Sequence, residues 1–219
     1  MSTPRPVPVW VVVADVAAKV LLVLAVSRVA LDPGWGNLEG KAPVARAVTY
    51  PMLALLVPLL HALRPLGTAG RVAAGVAGHG RPYPWGADLL VTLPAFSDIL
   101  GNRLDLYDRV TWFDDAIHLG STAALSGGVL LLSGAAAASL WRRLEVAVAA
   151  GLTLSLAWEL WEFAAFVTRS AEVGTAYADT LGDLALGWVG AVLAAGLVRA
   201  PEGTSGPAAH LPPRETVEA

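Results

Sequence analysis

Apolar residues along this chain come in long runs, broken by short polar stretches and by charged residues set singly inside the runs. A helical bilayer crossing needs about 20 mostly apolar residues. The first such run lies at about 8–31 and carries Asp15 and Lys19; the second lies at about 47–63, with Pro51 and Pro58 inside. A third, at about 85–100, is short and holds Asp88, Pro94 and Asp98. It reads either as a tilted, broken crossing or as a re-entrant piece. Three more run over about 112–140, 145–168 and 177–198. The runs exceed strand length and lack period-two alternation, so the prediction is all-α: a polytopic transmembrane helix bundle of about six segments. The first run is too long for a secretory signal peptide, and no small-residue cleavage motif follows it. Residues 1–199 read as one transmembrane domain with a polar core over about 85–198. Residues 200–219, rich in Pro, Gly, Ser and Glu, read as a disordered tail.

Composition narrows the class. Only 15% of the residues are charged and 55% are hydrophobic, against roughly 25% charged in a soluble domain. A soluble enzyme of this length would lack the polar material to cover its surface. The absence of Cys excludes a disulfide scaffold and thiolate-ligated metals. A net charge of -3 without a basic run argues against nucleic acid as a partner and leaves membrane lipids. A slight excess of Lys and Arg, with Arg142–Arg143 in the shortest loop, places the N-terminus in the cytoplasm. The expected location of such a multi-pass chain is the cell (inner or plasma) membrane. Trp10, Trp85, Trp112 and Trp141 sit near segment ends, where aromatic belts form.

The candidate chemistry lies in the charged residues that stay inside the runs, because each costs at least ~2.5–3.5 kcal/mol at the bilayer centre. The fourth segment opens with Trp112-Phe113-Asp114-Asp115-Ala116-Ile117-His118. Spacings of three and four let either aspartate share a helix face with the imidazole. The fifth carries Glu159 and Glu162, and the sixth Asp179 and Asp183. All lie near one membrane face, the extracytoplasmic one on the charge count, and Asp98 is on the same side. So many carboxylates cannot all stay charged in a low dielectric without a cation or protons. Oxygen ligands with one nitrogen suit Mg, Mn, Fe or Zn; a proton relay is the other solution. In the first case Asp115, His118, Glu162, Asp179 and Asp183 are the metal-ligand pool, and Glu159 or Asp114 is the acid/base. Asp15 and Lys19, four apart with the acid first, read as a mutually neutralised structural pair. His61 reads as interfacial; His79 and His210 fall in connectors. Gly120, Gly127, Gly128 and Gly134, and Gly182, Gly187, Gly190 and Gly196, read as helix–helix contacts.

Leu100-Gly101-Asn102, then Leu106-Tyr107-Asp108, then Asp114-Asp115 and His118, resembles the central block of the YjdF-like family of bacterial inner-membrane proteins. Glu159-x-x-Glu162 and Asp179-Thr180-Leu181-x-Asp183 match its second and third blocks in order. More distantly the order is similar to VanZ-like proteins, although Glu162 stands where those favour Gln and Gly187 where they favour Asn. Phe163 departs from the Trp frequent in the YjdF-like pattern. The resemblance implies an envelope membrane protein with an acidic–His core, and no particular reaction. The leading expectation is a membrane-embedded metal site that binds or acts on a lipid or lipid-linked envelope molecule. The rivals are a proton- or cation-coupled transporter, and a structural or accessory subunit.

Overall fold

The structure, a computed structural model, describes residues 7–63 and 82–199. The connector with Arg64, Arg71, Arg81 and His79, and the expected tail at 200–219 with His210, lie outside the described residues.

Six long helices account for the six expected segments. They are α1 (Val9–Leu31), α2 (Pro43–Leu63), α3 (Trp85–Arg103), α4 (Phe113–Ser133), α5 (Leu140–Ala165) and α6 (Ala176–Leu197). A one-turn helix, Leu106–Arg109, joins α3 to α4. Five of the six, all but α3, are long and apolar enough to cross a membrane. Helix α3 is continuous through Pro94 and 19 residues long, about 28 Å at 1.5 Å per residue, which is a bilayer's hydrocarbon thickness. It is neither broken nor short. Its low hydropathy follows from its position: it packs on α1, α2 and α4, and Asp88, Thr92, Asp98 and Asn102 are buried in protein.

One boundary differs from the expectation. The long fourth run is cut at Gly134, which caps α4 at φ 78°, and Ala135–Ala137 form a separate 3-10 turn. Ser139 then opens α5, its hydroxyl accepting the Arg142 amide at 3.4 Å. Ala135–Ala138 are good helix formers, so their composition hides the break; the left-handed backbone at Gly134 makes it. Arg142 and Arg143 therefore stand in the first turn of α5 rather than in a loop.

Side-chain contacts set the directions of the helices. Lys19 in the first half of α1 meets Asp88 at the start of α3, whereas Arg46 at the start of α2 meets Asp98 near the end of α3. His118 near the start of α4 meets Glu159 near the end of α5 and Asp183 near the start of α6. The helices thus run alternately up and down. Two three-helix groups result. In α1–α3, Leu22, Val26, Tyr50, Ala54, Ala95 and Ile99 form one core; Leu130, Ala147 and Ala195 of α4–α6, with Ala136, form the other. The groups join where Gly128 of α4 lies against Val91 and the Ala87 carbonyl of α3. Large apolar side chains such as Val13, Leu24, Met52, Leu160 and Leu193 cover the outside, the surface a helix bundle offers to lipid. Trp10, Trp112 and Trp141 are exposed at helix ends, as a belt requires.

The expected glycine contacts divide. A Cβ on Gly190 would lie 2.3 Å from the Leu119 carbonyl oxygen, and one on Gly187 2.7 Å from Ser155 Oγ; Gly127 and Gly128 are also tight. Gly120, Gly182 and Gly196 have nothing within 4 Å among the described residues, so they are not contacts. Gly134 is needed for its backbone angle alone.

Candidate functional site

Helices α2, α3, α4 and α5 enclose a cavity of about 550 Å³ at the membrane face where α4 and α6 begin. One wall carries His118. It is buried on α4, with Nε2 3.5 Å from Asp114 Oδ1 one turn earlier and 3.8 Å from Asp183 Oδ2 of α6. Its Nδ1 is 3.5 Å from Glu159 Oε1 of α5. The imidazole is thus held among carboxylates from three helices. Thr180 of α6 donates to Glu159 Oε2 at 2.9 Å, while Glu159 Oε1 is buried without a hydrogen-bond partner among the described residues. A buried carboxylate oxygen lacking a donor is costly, and a proton on His118 Nδ1, 3.5 Å away, is a donor within reach of it.

Two trios offer ligand atoms within 4.8 Å of one another: Asp114, His118 and Asp183; and His118, Glu159 and Glu162. Such spacing suits ligands sharing one ion with bonds of about 2.0–2.3 Å. Metal-ligating imidazoles commonly give their second nitrogen to a carboxylate. The first trio matches this pattern, with Glu159 as the orienting partner at Nδ1. Close approach of α4 and α6 at Gly190, and of α5 and α6 at Gly187 and Ser155, brings the contributing helices together.

Of the residues singled out in the sequence, the structure gathers His118, Asp183, Glu159, Glu162 and Asp114. Asp179 also lines the cavity. Asp115 does not join them: it is exposed on α4, and its neighbour Asp114 takes the position beside His118. The two aspartates are three and four residues before the imidazole, and spacing alone did not separate them.

Of the other wall, only Asp98 was expected on this side. Arg46 of α2, 3% exposed, pairs through Nη1 with Asp98 of α3 and with the Tyr50 hydroxyl, and its Nε donates to the Lys41 carbonyl. Asp98 also accepts from Tyr50, from Tyr107 at 2.9 Å and from Asn102. Burial and the neighbouring Asp98 push the Tyr107 phenol well above its ordinary range, so it stays a proton donor. The rings of Tyr50, Trp158, Trp161 and Phe166 surround the guanidinium, with Cζ 5.6–5.9 Å from each centroid. Asn102 and Tyr107 stand in the sequence block that carries the resemblance; Trp158-x-x-Trp161 has one-face helical spacing. Both signals were legible, but nothing in the sequence pointed them at Arg46.

A second buried polar group sits at the far end of α3. Lys19 bonds Asp15, as expected, and also reaches Asp88 Oδ1 at 2.8 Å, while Tyr83 donates to Asp88 Oδ2. The expected pair is therefore a triad of two carboxylates and one ammonium.

No curated protein and no solved structure matches the chain. The family model described as a predicted membrane protein (DUF2238) matches residues 52–201. That span runs from within α2 through α6, includes every carboxylate around His118, and leaves out Arg46 and Lys19. With a match over well more than half of its length and five apolar helices of crossing length, this chain is a multi-pass integral membrane protein and belongs to the DUF2238, or YjdF-like, family.

Proposed function

We propose that the chain holds a divalent cation between Asp114, His118 and Asp183 and uses it on the polar headgroup of a lipid or lipid-linked envelope molecule. The observation that carries this reading is the buried His118 ring, flanked by carboxylates from three helices at the wall of a 550 Å³ cavity. His118 lies five residues into α4 and Asp183 seven into α6, so both sit about 8–11 Å from their helix ends. That depth suits a headgroup and excludes the distal part of an acyl chain. The oxygen-rich donor set with one nitrogen suits Mg, Mn, Fe or Zn. Such an ion would polarise an ester or phosphoryl oxygen and acidify a bound water. Glu159 orients the imidazole; Glu162 and Asp179, which line the cavity, are placed to accept a proton.

The test incubates the nanodisc-embedded protein with headgroup-labelled phospholipids and lipid-linked precursors, across divalent ions and pH. Metal-dependent headgroup release, abolished by His118→Ala, supports the reading. The absence of product with every ion overturns the enzymatic part of it. One observation favours a proton- or cation-coupled carrier instead: the Asp15–Lys19–Asp88 triad buried at the opposite end of α3. Flux in proteoliposomes that follows an ion gradient would decide for that rival.

A further inference from the structure

A cation at His118 leaves the Arg46 wall of the cavity without a role. Arg46 is buried, lines the cavity, and spends only part of its donor set on the protein. Nε donates to the Lys41 carbonyl at 2.9 Å; Nη1 donates to Tyr50 at 2.6 Å and to Asp98. Nη2, with two N–H groups, donates to none of the described residues. Because Arg46 lines the cavity, these two N–H groups are open to an acceptor bound there.

We propose that Arg46 Nη2 and the Lys41 ammonium form an anion subsite that takes a phosphate group of the substrate, with the His118 site on the facing wall. This deepens the reading above and rests on it for the cation. The planar guanidinium fork matches phosphate oxygens, and four aromatic rings hold it in place, so little is lost in ordering it. Asp98 does not compete for Nη2: it is engaged by Nη1, Tyr50, Tyr107 and Asn102. Lys41 also lines the cavity, and among the described residues its ammonium pairs with the exposed carboxylate of Asp108, at 3.6 Å, a weak surface pair that a phosphate can replace. The backbone is bent to bring these groups together. Ala42 takes φ 53° immediately before Pro43, an unfavourable conformation for a residue with a Cβ, and Lys41 just before it turns its carbonyl onto Arg46.

Charge decides the ligand's form. Asp98, Asp108, Asp114, Glu162 and Asp179 outnumber Lys41 and Arg46 around the cavity. A bare anion is therefore repelled, whereas a phosphate shared between a divalent cation and Arg46 is neutralised from both sides. Phosphate fits because it offers separate oxygens to both walls.

The experiment uses the full chain in a phosphate-free maltoside micelle, loaded with Mn2+. Electron paramagnetic resonance reports Mn2+ uptake. Equilibrium binding reports labelled inorganic phosphate and dihexanoyl phosphatidic acid, with acetate as the comparison anion. The expected result is saturable binding of a phosphate probe in preference to acetate. Arg46→Lys, which keeps the charge and removes Nη2, should lower phosphate affinity at least tenfold with Mn2+ affinity within threefold of wild type. Lys41→Gln should lower it at least threefold. Tighter phosphatidic acid than inorganic phosphate supports a lipid headgroup as the source; equal affinity supports a free phosphate compound. Failure of the Mn2+-loaded wild type to bind either probe overturns the subsite, as does wild-type phosphate affinity in both variants. If Arg46→Lys does not fold, wild-type affinity in Lys41→Gln alone overturns it. If no Mn2+ is taken up, the cation reading fails separately. Phosphate bound by the metal-free protein and lost in Arg46→Lys then supports the subsite, and no binding overturns it.

Discussion

Replacing Gly190 by Ala should separate the two helices that bring His118 and Asp183 together. A Cβ there would stand 2.3 Å from the Leu119 carbonyl oxygen and 3.0 Å from the Ala123 amide nitrogen. Carbon and oxygen settle no closer than about 3.3 Å, so α4 and α6 must part by about 1 Å. Both obstructing atoms are backbone and cannot rotate away. Leu119 follows His118 directly, and Asp183 lies two turns before Gly190. The His118–Asp183 distance of 3.8 Å would approach 5 Å, beyond the reach of two ligands on one ion. Overpacking costs about 1–3 kcal/mol, and the helix propensity of Ala returns about 1 kcal/mol. The net destabilisation is therefore on the order of 0–2 kcal/mol, with the fold retained. Gly182→Ala, eight residues before Gly190 on the same helix but facing open space, is the control. Mn2+ titration followed by electron paramagnetic resonance in nanodiscs, beside thermal unfolding by circular dichroism, reads both effects. Gly190→Ala should weaken Mn2+ at least tenfold, and Gly182→Ala should leave it within twofold. Equal Mn2+ affinity and equal stability in Gly190→Ala would refute the close crossing and its link to the site.

Other outcomes follow from the same geometry. Asp114→Asn should lower Mn2+ affinity at least tenfold while Asp115→Asn leaves it unchanged, in the same titration. Lys19→Met leaves the buried carboxylates of Asp15 and Asp88 without their cation and should cost about 3–5 kcal/mol; adding Asp15→Asn should recover a large part of that in thermal unfolding. The Tyr107 phenol is held above its ordinary range by burial and Asp98, so its contribution is present below about pH 10, where the unfolded phenol is still protonated, and is lost as pH rises beyond that. Unfolding measured from pH 8 to 11 should show a steeper loss above pH 10 in the wild type than in Tyr107→Phe.

Long apolar runs announce helices whatever their partners, so all six segments were legible from the chain. What one helix cannot reveal is what it faces. Helix α3 looked weak as a crossing because Asp88, Asp98 and Asn102 lower its hydropathy; all three are covered by other helices. Arg46 stands just outside the apolar run that begins at about 47, and its acceptor Asp98 lies 52 positions away. Asp114 and Asp115 fall on either side of the line through His118, and only the approach of α5 and α6 selects one. The glycines show the same limit: Gly182 and Gly190 are alike in sequence, and only the neighbouring backbone at Gly190 separates them. The deviating boundary between α4 and α5 came from a local backbone angle at Gly134, hidden among alanines.

The most direct test of the cation site is the metal content of the nanodisc-embedded protein, by elemental analysis, beside His118→Ala shown by circular dichroism to be folded. The account predicts close to one equivalent of a divalent metal in the wild type, after purification or after soaking with Mg, Mn, Fe or Zn, and its loss in the variant. No metal in the wild type after soaking, or the same content in both proteins, would contradict it.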